Sequence, residues 1–273
     1  MAAQSIAILG GGNMGRALVS GLLRRGMRPE ELSVADVSPD ARAALRSDFA
    51  VTAEEDCRAA ARGARLIVIA VKPQYVAELL GSLESVLKEA RPVVVSIAAG
   101  IRIASLQAWC GAGVPIVRAM PNRPAFVGAG VTGLFALPDV AVPARQAAAR
   151  ILTAVGEVVW LPNEAALDVV TALSGSGPAY LFLMAETMMQ AAVALGLEPE
   201  AARKLAVGTL YGAGMLAQAS DGDLHRLRQD VTSKGGTTEA ALAVFAAADL
   251  TAIVNQALEA ATRRSRELAQ QFG

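Results

Sequence analysis

The chain has 273 residues, 53% hydrophobic and 18% charged, a composition that supports large cores and excludes a disordered protein. Lys+Arg 25 against Asp+Glu 25 leaves no net charge, so neither nucleic acid nor an anionic membrane is an expected partner. Two cysteines, Cys57 and Cys110, and one histidine, His225, are too few for a disulfide framework or a His/Cys metal site, and no metal is expected.

This length suits about two domains. Ile6-Ala7-Ile8-Leu9 is an apolar run that breaks into Gly10-Gly11-Gly12-Asn13-Met14-Gly15 and resumes with helical spacing at Ala17, Leu18, Gly21 and Leu22. Strand, Gly-x-Gly-x-x-Gly and helix, in that order, read as the first turn of a dinucleotide-binding fold. Gly10 permits the tight turn, Gly12 lets backbone approach a pyrophosphate, and Gly15 lets the helix sit close to the strand. The anion then lies against the helix N-terminus, whose unpaired N–H groups and dipole favour negative charge. The competing reading is a tight strand–helix turn without a ligand.

Leu32 to Ala35 is a second short run ending at Asp36, about twenty residues after the glycine turn, where an acid can hold a ribose 2′-OH. Ser38-Pro39 has the form of an N-cap and first helical residue. Arg42, on that helix, is the cation nearest to offset the repulsion between Asp36 and a 2′-phosphate. Leu66 to Val71, followed by Lys72-Pro73, and Val93 to Ile97, followed by Ala98-Ala99-Gly100, are continuous apolar runs. Continuous rather than alternating runs imply strands buried on both faces, hence a mostly parallel sheet between helices, with ligands at the carboxyl ends where Asp36, Lys72 and Ala98-Ala99 fall. Further strands are expected at Pro115–Arg118, Gly130–Ala136 and Glu157–Trp160, with a helix over Pro143–Val155.

After about Pro162 strand signals vanish and alanine-rich helical stretches dominate, which places a dinucleotide-binding domain at 1–162 and a helical one at 163–273. The expected fold class is thus a Rossmann-like α/β domain followed by an all-α dimerisation domain. Pro178 opens a long helix that Gly196 closes. That helix is apolar nearly all round, and a domain of about 110 residues cannot bury it alone, so a homo-oligomer is expected. Two segments stand apart as loops, Ser174-Gly175-Ser176-Gly177-Pro178 and Ser233-Lys234-Gly235-Gly236-Thr237-Thr238. The second places glycines and hydroxyls before a helix, a ready site for a carboxylate, although Thr237 or Thr238 as a plain helix cap is the simpler reading. His225, beside Arg226 and Arg228, reads as a surface residue. No apolar run approaches the ~18 residues needed to span a bilayer, and no basic segment precedes a first strand starting at Ser5, so the expectation is a soluble cytoplasmic protein.

Five segments together resemble pyrroline-5-carboxylate reductase: the Gly10–Gly15 turn, Ala70-Val71-Lys72-Pro73, Arg118-Ala119-Met120-Pro121-Asn122, Leu173 to Tyr180, and Val231 to Thr238. They come in the family's order and span nearly the whole chain. The resemblance implies reduction of 1-pyrroline-5-carboxylate to L-proline by NADPH or NADH, the last step of proline synthesis. It also implies a homo-oligomer whose active site lies near the subunit interface. Carried over, Gly10, Gly12, Asn13, Met14 and Gly15 hold the pyrophosphate. Asp36, Ser38, Val71, Lys72, Pro73, Ala98, Ala99 and Asn122 complete the cofactor site, with Asn122 near the nicotinamide. Ser176, Gly177, Ser233, Gly235, Gly236, Thr237 and Thr238 form the substrate site, where loop amides take the carboxylate. Thr238, the one catalytic candidate, orients the ring nitrogen. Two departures are Lys234, where many members carry proline, and Asp36, where NADPH-favouring members carry small hydroxyl residues.

A protonated cyclic imine is already electrophilic at carbon, so the chemistry needs no tuned histidine. Positioning of the reactants can supply roughly 7–11 kcal/mol of barrier reduction. The rival enzyme reading, a β-hydroxyacid or 6-phosphogluconate-type dehydrogenase, requires a lysine on the long helix, and Pro178–Leu195 has none.

Overall fold

The computed structural model describes residues 6–220 and 222–272; Ser5, the expected start of the first strand, lies outside them. Eight strands among these residues form one sheet: β1 (Ile6–Leu9), β2 (Leu32–Ala35), β3 (Thr52–Glu54), β4 (Leu66–Ile69), β5 (Val93–Ser96), β6 (Ile116–Met120), β7 (Gly130–Phe135) and β8 (Gly156–Trp160). Their order is β3-β2-β1-β4-β5-β6-β7-β8. The first six are mutually parallel, with Ile6 opposite both Leu32 and Leu66. β7 then runs antiparallel to β6, because Pro121 and Pro124 end the strand and the short 3-10 turn Arg123–Val127 leaves no room for a crossover.

Helices α1 (Asn13–Arg24), α2 (Pro39–Phe49), α3 (Cys57–Ala61), α4 (Val76–Ser82), α5 (Glu84–Ala90), α6 (Ile103–Cys110), α7 (Val142–Thr153) and α8 (Ala166–Val170) accompany the sheet. Alternate strand residues enter two separate cores. Ile6, Ile8, Val68 and Val117 pack with Leu18 and Leu22 of α1 and Leu152 of α7. Ala7, Leu9, Ile67 and Ile69 pack with Leu80, Leu87 and Leu106 on the other side. Both faces of the strands are buried, as their continuous apolar pattern requires, and each fully buried Leu or Ile contributes about 1.5–3 kcal/mol. β3 has no clear signature in the sequence: it is three residues long, at the sheet edge, with only Ala53 buried.

Two compact units make up the chain, one of residues through Gly175 together with 261–273, the other Ser176–Ala260. The division falls later than the 162/163 edge expected from composition. α8 belongs to the sheet unit because Leu167 and Asp168 are buried there, and Asp168 is bonded to Arg102 and Ser265. The expected loop at Ser174–Pro178 is instead helical. The π turn Thr171–Gly175 leads into α9 (Gly177–Ala194), and the hydroxyls of Thr171 and Ser174 donate to the carbonyls of Leu167 and Val170, four residues back. Such back-bonding of hydroxyls to carbonyls one turn earlier accompanies a local departure from regular α-helix, here the π turn.

The second unit holds α9, α10 (Pro199–Ala219), α11 (Leu224–Asp230), α12 (Thr237–Ala247) and the first part of α13 (Leu250–Phe272). α9 packs against α10, and Gly196, at φ +99, ends the helix before the Glu198 side chain caps α10 through Ala201 N–H. No residue of α9 or α12 is buried, and Phe182, Leu183, Leu205, Tyr211 and Val244 are more than half exposed. The helical run Ala166–Ala194, 29 residues, has the length and mean composition of a bilayer span, although it holds no uninterrupted apolar run of that length, since Asp168 and Ser174-Gly175-Ser176 lie within it.

Candidate active site

The loops after β1, β2, β4, β5 and β6 leave the same carboxyl edge of the sheet, and the strand order reverses at β1. Gly10 adopts φ +117 there, its N–H donating to Ala35 O at 2.8 Å, and a Cβ would lie 2.5 Å from Ala70 O. A Cβ on Gly15 would lie 2.0 Å from Gly10 O, so helix and turn touch at that point. A Cβ on Gly12 would meet no protein atom within 4 Å, so the space over the turn is open. Gly12 is the N-cap of α1, and no side chain caps that helix. The amides of its first turn, those of Asn13 and Met14 included, are therefore available to an anion. These residues fit a dinucleotide pyrophosphate.

At the end of β2 the Asp36 carboxylate is held on both sides, Oδ2 accepting from Gly11 N–H at 2.7 Å and Oδ1 from Ser38 N–H at 2.8 Å. Ser38 in turn caps α2 by accepting from Ala41 N–H. Arg42 does not offset Asp36 as its position in the sequence suggests. Its guanidinium donates to the carbonyls of Asp36 and Val37 at 2.8 and 3.0 Å and to Glu55 Oε2 at 2.9 Å. Beyond β4, Val71 is half-buried, Lys72 is exposed, and Pro73 opens a one-turn 3-10 helix. Ala98 is buried at the end of β5 and Ala99 half-buried. Asn122 is buried after β6, its Oδ1 accepting from Val131 N–H at 2.9 Å, which orients its carboxamide.

Beside this edge lies a polar network that the sequence reading did not identify. Arg118, 6% exposed in β6, donates to Glu164 Oε1 at 2.6 Å, and the same oxygen accepts from Ile103 N–H. Arg102 donates to Asp168 Oδ2 at 2.7 Å, and Ser265 to Asp168 Oδ1 at 2.8 Å. Burial pulls the Arg118 guanidinium below its ordinary pKa, opposed by the Glu164 carboxylate. The signal for the network was a charge inside an apolar strand, Ile-Val-Arg-Ala-Met, which must find a partner to be buried. Met120, from the same strand, lies against Gly175, where a Cβ would be 2.9 Å from Met120 Cε.

In the helical unit, α12 begins after Gly235 at φ +73, with Gly236 as N-cap and no side-chain cap. Neither threonine therefore caps the helix through its hydroxyl, which removes the simpler reading of Thr237 and Thr238. Gly235 N–H donates to Glu239 Oε2 at 2.6 Å and Gly236 N–H to Ser233 O at 3.0 Å. The loop thus already binds one carboxylate, but through an amide that is engaged internally. Thr238 is half-buried, Ser233 and Thr237 are exposed, and Ser176 and Gly177 are half-buried at the start of α9. His225 is exposed on α11, in keeping with a surface role.

Residues 164–268 match the family model for pyrroline-5-carboxylate reductase dimerisation, and residues 5–100 match that for NADP oxidoreductase, coenzyme F420-dependent. The chain is 42% identical over 273 residues to a pyrroline-5-carboxylate reductase of Pseudomonas aeruginosa, covering all of both chains. The solved structure of a pyrroline-5-carboxylate reductase from Coxiella burnetii superposes with TM-score 0.94 at 39% identity, covering 98% of this chain and 99% of that one. The Plasmodium falciparum pyrroline carboxylate reductase with NADP bound superposes with TM-score 0.84 at 27% identity, over 98% and 99%. The glycine turn, the Gly-Gly-Thr-Thr helix start and this full-length identity agree: the chain belongs to the pyrroline-5-carboxylate reductase family.

Proposed function

We propose that this chain reduces 1-pyrroline-5-carboxylate to L-proline in the cytoplasm, with nucleotide handling in residues 1–162 and substrate binding and dimerisation in 163–273. NADH or NADPH supplies the hydride. The bare Gly12 and the uncapped first turn of α1 receive the pyrophosphate, and Gly10 and Gly15 set the path of the turn. Asp36 and Ser38 address the adenosine ribose. Val71, Lys72, Pro73, Ala98, Ala99 and the oriented Asn122 carboxamide border the other ribose and the nicotinamide.

The observation that carries the substrate assignment is the uncapped N-terminus of α12 behind Gly235-Gly236. Those two glycine amides are engaged by Glu239 and Ser233. The substrate carboxylate is therefore taken by the amides of Thr237 and Thr238, with the glycines supplying the turn. The Thr238 hydroxyl, free of capping duty, orients the ring nitrogen. Lys234 adds a cation to the same loop, and Ser176 and Gly177 shape the pocket wall. The β-hydroxyacid dehydrogenase alternative lacks its lysine on α9. Following the NADH absorbance band with 1-pyrroline-5-carboxylate and assaying proline tests the reading. Oxidation matched by proline is expected; a nucleotide-binding enzyme inert toward this imine overturns it.

A further inference from the structure

The corner around Asp36 is acidic. Asp36 N–H donates to Glu54 O at 3.1 Å across the β2–β3 pairing, which brings Glu54, Glu55 and Asp56 beside it. The arginines on α2 and at the start of α3 are already engaged. Arg46 donates to Ala53 O at 2.7 Å and Arg58 pairs with Asp56 at 3.4 Å. Arg42, its side chain only 14% exposed, is bound to two carbonyls and to Glu55.

Resting on the reading that this corner receives the cofactor's adenosine ribose, we propose that Glu55 is a specificity-determining residue. By pairing with Arg42 it withholds that guanidinium from a 2′-phosphate, and with Asp36 fixed it sets a preference for NADH over NADPH. A 2′-hydroxyl can donate to Asp36. A 2′-phosphate meets the Asp36 carboxylate instead, and Asp36 cannot rotate away without giving up the Gly11 and Ser38 amides, the first of which belongs to the glycine turn. A phosphate that recruits the remaining Arg42 N–H groups shares the guanidinium with the Glu55 carboxylate, which offsets its charge and repels the phosphate. Glu55 is 74% exposed, so water and salt screen the pair and the discrimination it adds is moderate.

The test is titration of NADH and NADPH, followed by nucleotide fluorescence, into the full-length wild type, Glu55→Gln, Glu55→Asp and the double variant Arg42→Gln/Glu55→Gln. Wild type is expected to bind NADH more tightly. Glu55→Gln should lower the NADPH Kd about three- to tenfold at low salt, less at high salt, without moving the NADH Kd. Glu55→Asp should restore wild-type discrimination, and the double variant should lose the gain because the phosphate's partner is gone. An unchanged NADPH-to-NADH ratio in Glu55→Gln, or a wild type that prefers NADPH, overturns the proposal. Failure of wild type to bind either nucleotide instead overturns the nucleotide-site reading on which it rests.

Discussion

The Arg118–Glu164 pair offers a test of how the sheet edge is held. Arg118 is 6% exposed and bonded to Glu164 at 2.6 Å, while Glu164, with a side chain 27% exposed, also accepts from Ile103 N–H. Glu164→Ala leaves a buried guanidinium without its nearest carboxylate, a loss that costs about 3–5 kcal/mol. At roughly 2–4 °C per kcal/mol for a domain of this size, the melting temperature should fall by about 6–20 °C. Arg118→Met costs less, because it removes the charge that is hardest to solvate and leaves Glu164 its backbone donor and partial access to water. Arg118→Met/Glu164→Ala should be more stable than the sum of the single losses, since neither charge remains unpaired. Calorimetry of the four proteins at one protomer concentration measures the cycle. Additive losses, or a Glu164→Ala cost under about 1 kcal/mol, refute the reasoning, because either means that Arg118 is not held as a buried ion.

Thr238→Ala should lower kcat/KM by roughly ten- to several-hundred-fold, the size of a lost positioned hydrogen bond, with cofactor affinity and melting temperature nearly unchanged because the hydroxyl caps nothing; wild-type kinetics in the mutant rule the assignment out. Light scattering at low micromolar concentration should show a dimer or larger assembly, given that no residue of α9 or α12 is buried within one chain, and a stable active monomer contradicts this. Burial raises the Cys110 thiol to about 12, so at pH 8 it carries almost no thiolate and a maleimide should modify Cys57 well before Cys110, as peptide mapping can check. Ser96→Ala should stabilise the protein by about 1 kcal/mol, because the buried Ser96 hydroxyl has no hydrogen-bond partner among the described residues; a lower melting temperature counts against it.

Local physics made much of this protein readable from sequence alone. Glycine at 10, 12 and 15 and unbroken apolar runs at Ile6, Leu66 and Val93 are sufficient for a mostly parallel sheet with a glycine turn at its carboxyl edge, because each signal reflects backbone sterics or two-sided burial within a few residues. The helical second half and its need for a partner followed from α9 being apolar on all sides. What required the tertiary structure was which groups meet. Arg42 is five residues from Val37 in sequence but thirteen from Glu55, and only the β2–β3 pairing reveals that Glu55 engages it. Asp168 and Ser265 are 97 residues apart and share a hydrogen bond. The antiparallel β7 likewise rests on a partner outside its own segment, whereas the winding of Ser174-Gly175 into helix and the engagement of the Gly235 and Gly236 amides use groups within four residues that periodicity alone does not single out. Propensity and periodicity report what a segment can do by itself; hydrogen-bond and ion-pair partners across the fold are chosen only when the elements pack.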